Sequence, residues 1–136
     1  MNTIERFEMI YVHDSGIKHI NLDVQKSICR IHLDYAAVLK DPPRPFDYEK
    51  FYKPAVIEFT DVKVVGLPEG YCLNDVIAEH SVQDSEFAGY YRFTIATTGG
   101  WDNGTFWRVI EVTAKDFFLS GTVSKYPSED ECSKIL

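Results

Sequence analysis

The chain has 136 residues, 45% of them hydrophobic and 26% charged, a composition that indicates one globular domain over 1–136 and excludes a disordered chain. Its formal net charge is −7, and from Gly66 onward eleven acidic residues stand against five basic ones, so direct binding of DNA or RNA is not expected. No apolar run reaches the roughly 20 residues that a membrane span needs, and a membrane protein is therefore not expected.

Apolar residues recur at every second position in the N-terminal part of the chain. This alternation predicts half-buried strands over 7–12, 17–24 and 28–35, and Gln25-Lys26 predicts a short hairpin between the last two. The first ten residues, MNTIERFEMI, carry charge where an export signal needs an apolar segment. A cytoplasmic location is therefore expected.

The sequence of the middle of the chain is more typical of loops than of strands. Four prolines in 38–54 argue against a central strand there, and one helical turn is expected over 47–52. A change of apolar phase predicts a bulge or tight corner at Thr60–Asp61. The segment LNDVIAEH, 73–80, is the best candidate for a short helix, with Asn74 or Asp75 as its N-cap.

The segment from Tyr90 onward predicts a three-stranded meander. Pairing Thr98 with Thr105 across GGWDNG puts Phe93 beside Ile110, and a second hairpin at Ala114-Lys115 follows. The expected core of the meander is Phe93, Ile95, Ile110, Val112, Phe117 and Leu119. The last residues, 127–136, are expected to form a frayed tail.

Taken together, these elements predict a mainly β fold. About seven or eight mostly antiparallel strands with one short helix are typical of a sandwich or a partly open barrel.

Histidine and aspartate residues near the N-terminus form the first candidate site. His13-Asp14 offers two metal-ligand types, but Asp and Ser before Gly16 are typical of a turn. The β-hairpin places His19 opposite His32, with Cβ atoms roughly 4.5–5.5 Å apart. Such a pair could share zinc or nickel if Asp14 or Asp34 joined it; otherwise it is a pair of solvated histidines.

The sequence contains no recognisable catalytic motif. Neither GxSxG, GxxxxGK[ST] nor GxGxxG is present, and Cys29, Cys72 and Cys132 have no CxxC spacing. Cys29 alternates with apolar residues and is read as buried. We therefore assign no catalytic residue and no cofactor, and a non-enzyme is favoured.

Aromatic residues in the second half form the candidate protein-binding surface. Trp101 and Asp102 lie at the tip of a glycine-rich loop, and Trp107 and Phe118 lie opposite the meander core. This face is either covered by the predicted helix and the proline-rich segment, the more common arrangement, or exposed for a partner. The acidic surroundings favour a basic protein, and a symmetric homodimer is the alternative.

The stretches HDSGIKHINLD, ICRIHLDY and VIEFTDVKVVGL resemble a group of small bacterial β-rich proteins, some of which look like immunity proteins of polymorphic toxin systems. The resemblance covers about the first half of the chain and implies a cytoplasmic protein that binds and silences a toxin without catalysis. It assigns no role to His13 or Asp14. The rival hypotheses are a metal-binding protein or metal-dependent enzyme using His13, His19 and His32, and a binder of small ligands.

Overall fold

The computed structural model describes residues 1–44, 46–68, 75–99 and 106–125, without the side chain of Phe106. These residues form one helix, α1 (Thr3–Glu8), and ten strands. In chain order the strands are β1 (Ile10–Tyr11), β2 (Ile17–Asp23), β3 (Ile28–Leu33), β4 (Ala36–Leu39), β5 (Tyr48–Thr60), β6 (Val64–Gly66), β7 (Val76–Asp84), β8 (Tyr91–Gly99), β9 (Phe106–Ala114) and β10 (Asp116–Val123). The helix has six residues, and no helix of the described part could cross a membrane.

The strands form two antiparallel sheets. The first sheet has the order β1-β4-β5-β3-β2, with β10 on β5, and the second has the order β6-β9-β8-β7. They stack as an open sandwich, which confirms the predicted mainly β class. The strand count exceeds the prediction because β7 occupies a segment predicted to be a helix and because β6, only three residues long, is a separate strand.

A single main core fills the space between the sheets. Its larger members are Phe7, Ile31, Ile57, Phe59, Ile77, Phe93, Ile95, Ile110, Val112 and Phe117. The predicted meander residues all belong to this core or, for Leu119, pack against it. Cys29 is also fully buried, as predicted, and burial raises the pKa of its thiol to about 11.

The helix α1 covers Thr3–Glu8, so of the strand predicted over 7–12 only β1, Ile10–Tyr11, is present. The Asn2 side chain accepts a hydrogen bond of 2.8 Å from the Glu5 backbone and so caps α1. Phe7 then packs its ring against the rings of Phe93 and Phe117, each 4.9 Å away. The alternation was too short to distinguish the two structures, whereas the capping pattern Asn2-x-x-Glu5 was readable.

The prediction that the prolines exclude a central strand was wrong, as was the helical turn over 47–52. β5 runs through Pro54, with β4 and then β3 on one edge and β10 on the other. Pro54 lies between the positions paired with β4 and β3, where the register of β10 also shifts. A Cβ on Gly121, whose φ is 152°, would collide with the Pro54 carbonyl. The strand tolerates proline because its ladder is already interrupted there.

The predicted helix over 73–80 is also wrong. Leu73 and Asn74 lie outside the described residues, Asp75 caps no helix, and β7 begins at Val76. A register shift between Ile77 and Glu79 lets Ile77 and His80 both face the core, three residues apart. Because of this bulge, inward-facing residues are three positions apart in a strand, a spacing that is typical of a helix.

The predicted meander has the right inward face but the wrong pairing. Phe93 pairs with Val112 instead of Ile110, a slip of two residues that keeps every side chain on its face. Beyond Lys115, β10 leaves β9 and pairs with β5 of the other sheet. Alternation cannot distinguish two strands in one sheet from two strands in facing sheets, because both arrangements bury the same side chains.

Two local predictions are confirmed. β2 and β3 form the expected hairpin, with His19 opposite His32. β5 ends at Thr60, and Asp61 adopts a φ of 52°, which makes the expected corner. The predictions on Trp101, Asp102, Cys72, Cys132 and the tail over 127–136 lie outside the described residues.

Candidate functional site

The segment around His13-Asp14-Ser15 joins the two sheets. The Asp14 backbone N–H donates to Ile77 O at 2.8 Å, and the Ile77 N–H donates to Ser15 O at 2.9 Å. The Ser15 hydroxyl, fully buried, donates to Tyr35 O at 2.6 Å and accepts from Tyr35 N–H at 3.0 Å. The structure therefore supports the turn interpretation: this segment ties the β3–β4 junction to β7.

His13 and Asp14 themselves lie at the surface. His13 Nε2 is 3.6 Å from Asp14 Oδ2, and its Nδ1 is 3.0 Å from Ala78 O. The Tyr35 hydroxyl donates to the backbone oxygen of His13, and burial, followed by nearby Tyr11 and Asp14, raises the Tyr35 pKa. Tyr35 is thus a neutral structural phenol, and the exposed side chains of this segment are those of His13 and Asp14.

A buried ion pair lies between the sheets. Arg108 Nη1 contacts Asp75 at 3.0 and 2.8 Å, and Thr97 donates to the same carboxylate at 3.1 Å. A Cβ on Gly99 would collide with both charged groups. The observed β8–β9 register places Thr97 beside Arg108. The cluster is therefore found in this register, which the alternation of apolar residues did not determine. Sequence reasoning missed it because Asp75 was read as a helix cap.

His80 is a half-buried polar residue whose packing the sequence did not reveal. Its Nε2 donates to Phe7 O at 3.1 Å, and its ring meets the Phe7 ring edge-on at 5.2 Å. Burial lowers the pKa of His80, opposed by that hydrogen bond and by the nearby charge of Glu8. The neutral imidazole therefore anchors the end of α1 to β7.

The outer face of the first sheet holds the other two histidines. His19 lies opposite His32, and the next strand places Val56 beside His32. The two imidazole centroids are 5.4 Å apart. Among the described residues no group of three or more metal-ligand side chains forms, so neither Asp14 nor Asp34 completes a cluster with this pair.

Phe118 also belongs to the first sheet, not to the face that carries Trp107. It lies opposite Glu58, which is ion-paired with Arg30 at 2.7 Å. Phe118 is 53% exposed. It also borders a cavity of about 310 Å³ whose other lining residues are Met1, Arg6, Met9, Ile10, Val38, Leu39, Asp41, Glu49, Phe117 and Leu119. A binder of small ligands would have this cavity available.

The outer face of the second sheet carries an exposed apolar patch. Trp107 is 56% and Val109 44% exposed, so the expected cover by the helix and proline-rich segment is wrong. The cover is missing because the predicted helix is instead strand β7 of this same sheet, and the proline-rich segment contributes to β4 and β5 of the first sheet. Thr98 lies beside Trp107, and Ala96 lies beside Val109.

Acidic side chains accompany this patch. Glu79 on β7 lies beside Ala96 on β8. Glu111 lies two residues beyond Val109 on the same face of β9. Glu79 is exposed, and Glu111 is 3.6 Å from Arg92, a diagonal neighbour on β8. We call the patch formed by Val109, Trp107, Ala96 and Thr98 with Glu79 and Glu111 the Trp107 face.

Comparison with known proteins places the chain in a family. Neither the curated proteins nor the solved structures include a match. One family model matches residues 1–125, nearly the whole chain, and it is described as a family of unknown function, DUF6258. The protein therefore belongs to the family DUF6258.

Proposed function

We propose that the protein acts by binding another protein through the Trp107 face. The observation that carries this proposal is the exposure of Trp107, at 56%, and of Val109 on the same face of β9. A large aromatic side chain left in water gains free energy when a partner covers it, and tryptophan is enriched among interface residues that dominate affinity.

The face is supported from below by the main core. Ile95 and Ile110, adjacent on β8 and β9, are almost fully buried directly beneath it. Side chains on such a sheet are held in place before a partner arrives, which reduces the ordering cost of binding. This rigidity supports a preformed binding surface.

The charge of the face favours a basic partner. Glu79 is exposed beside the apolar residues, Glu111 is ion-paired with Arg92, and the whole chain carries a formal charge of −7. Opposite charge on the partner would speed association, and salt would weaken that effect. In its finer form, the proposal is a cytoplasmic immunity protein that neutralises a basic toxin without catalysis.

The test is affinity capture from a lysate of the source cell with three baits: the natural chain, Trp107→Ala and Phe118→Ala. Phe118 is the matched control because it is an equally exposed aromatic residue on the other sheet. A basic protein retained by the natural chain is then purified, and its affinity is measured by calorimetry at about 50 and about 500 mM salt.

We expect a complex with one copy of each chain, weakened about 30-fold or more by Trp107→Ala and about twofold or less by Phe118→Ala. Higher salt should also weaken it. Equal affinity for the Trp107→Ala and Phe118→Ala baits would overturn the proposal. So would a natural chain that is a dimer by light scattering and becomes a monomer on Trp107→Ala, because the face would then bind a second copy.

A further inference from the structure

We propose that His19 and His32 together bind a divalent transition-metal ion, with zinc as the best fit. This site is separate from the Trp107 face, since it lies on the outer face of the other sheet. The test of metal binding is therefore independent of the test of the proposed protein-binding surface.

The geometry of the pair fits chelation. His19 and His32 are directly opposed on neighbouring antiparallel strands, and their ring centroids are 5.4 Å apart. With nitrogen–zinc bonds of about 2.1 Å, two imidazoles on one tetrahedral ion have centroids about 5 Å apart. A shift of a few tenths of an ångström, within the reach of χ1 and χ2 rotations of the exposed His19 ring, is enough to reach that spacing.

Both imidazoles are available as ligands. Among the described residues, neither ring makes a hydrogen bond or an ion pair, whereas the rings of His13 and His80 each contact a backbone carbonyl. Neighbouring charges are already paired: Lys18 with Asp34 at 3.2 Å, and Arg30 with Glu58 at 2.7 Å. The cations beside the site are thus largely neutralised and do not repel an incoming ion strongly.

The donor set determines which ion is favoured. Imidazole nitrogen suits zinc, nickel and copper, whereas magnesium and calcium prefer oxygen ligands. The pair supplies two ligands from the described part of the chain, and water would occupy the remaining positions. The ion would also join β2 to β3 at the edge of the first sheet, so it should raise the unfolding temperature.

Calorimetric titration with zinc chloride tests the proposal, using the chain without an affinity tag. The variants are His19→Ala and His32→Ala, and the matched control is His13→Ala, which removes an exposed histidine beside a carboxylate. We expect one zinc ion per natural chain at tens of micromolar protein, a loss of about tenfold or more in affinity for either variant, and unchanged binding for the control. Magnesium chloride should produce no binding heat.

A second measurement avoids substitutions. Substoichiometric nickel should broaden the backbone NMR signals around His19, His32 and Val56 before those around His13 or His80. Zinc binding that survives both substitutions, or broadening centred elsewhere in the chain, would overturn the proposal.

Discussion

Two arginine–carboxylate pairs in this protein have almost the same length but different surroundings. Arg108 and Asp75 are 2.8 Å apart between the sheets, where the side chains are 22% and 2% exposed. Arg30 and Glu58 are 2.7 Å apart on the outer face of the first sheet, with side chains 35% and 29% exposed. From the distances alone, the two ion pairs would be expected to stabilise the fold equally.

Burial separates the two roles. Removing one partner of a buried pair leaves a charge without compensation in a poorly polarisable interior, whereas water solvates either partner of an exposed pair. The interior polar groups therefore hold the fold in one arrangement. We expect the polar groups on the outer faces, which water reaches, to contribute less to stability.

The largest expected effect is that of Asp75→Asn. The substitution keeps the shape but removes the charge of the buried carboxylate that contacts the Arg108 guanidinium, so the free energy of unfolding should fall by about 3–5 kcal/mol. Urea unfolding followed by circular dichroism measures this change. The matched substitution Glu58→Gln should cost about 1 kcal/mol or less; equal losses would remove the distinction between the two pairs.

Ser15→Ala should have the next largest effect. It removes a fully buried hydroxyl that both donates to and accepts from the Tyr35 backbone, so we expect a loss of about 1–3 kcal/mol in the free energy of unfolding. Ser120→Ala, at an exposed position of β10, is the control and should change little. A loss no larger than that of the control would show that the Ser15 hydroxyl does not stabilise the contact with Tyr35.

His80 should make stability depend on pH. Its pKa in the folded protein is lowered from the ordinary 6.5, so the unfolded chain binds the proton more readily. The stabilising contribution is complete above pH 6.5 and is lost as the pH falls below that value, at no more than about 1.4 kcal/mol per pH unit. Urea unfolding between about pH 7.5 and 5.5 measures the slope.

The control for this prediction is His80→Gln, which retains an N–H donor for the Phe7 carbonyl but does not titrate. The difference in slope between the natural chain and this variant isolates His80 from the carboxylates and the exposed histidines. Identical slopes would contradict the assigned role.

The smallest expected effect is the coupling between Arg30 and Glu58. A double-mutant cycle with Arg30→Ala and Glu58→Ala should yield about 0.2–1 kcal/mol, reduced by salt. Thermal or urea unfolding of the four proteins measures it. A coupling comparable to the loss in Asp75→Asn would show that the outer face stabilises the fold as strongly as the interior.

Part of the candidate surface could be predicted because its pattern is local. The β2–β3 hairpin has a short turn and one apolar face, so the position of His19 opposite His32 followed from counting residues. The second-half strands were harder, since pairing Phe93 with Val112 or with Ile110 buries the same side chains. Trp107 and Phe118 were therefore assigned to one face, although they lie on different sheets.

By itself, the sequence determined the mainly β class, the buried faces of most strands and the histidine hairpin, because alternation and short turns act between neighbouring residues. Only the tertiary structure decided that β10 joins β5, that Pro54 lies within a strand, and that Asp75 is an ion-pair partner of Arg108. These features depend on contacts between residues distant in the chain. Burial stabilises such contacts, but no local sequence pattern specifies which distant residues meet.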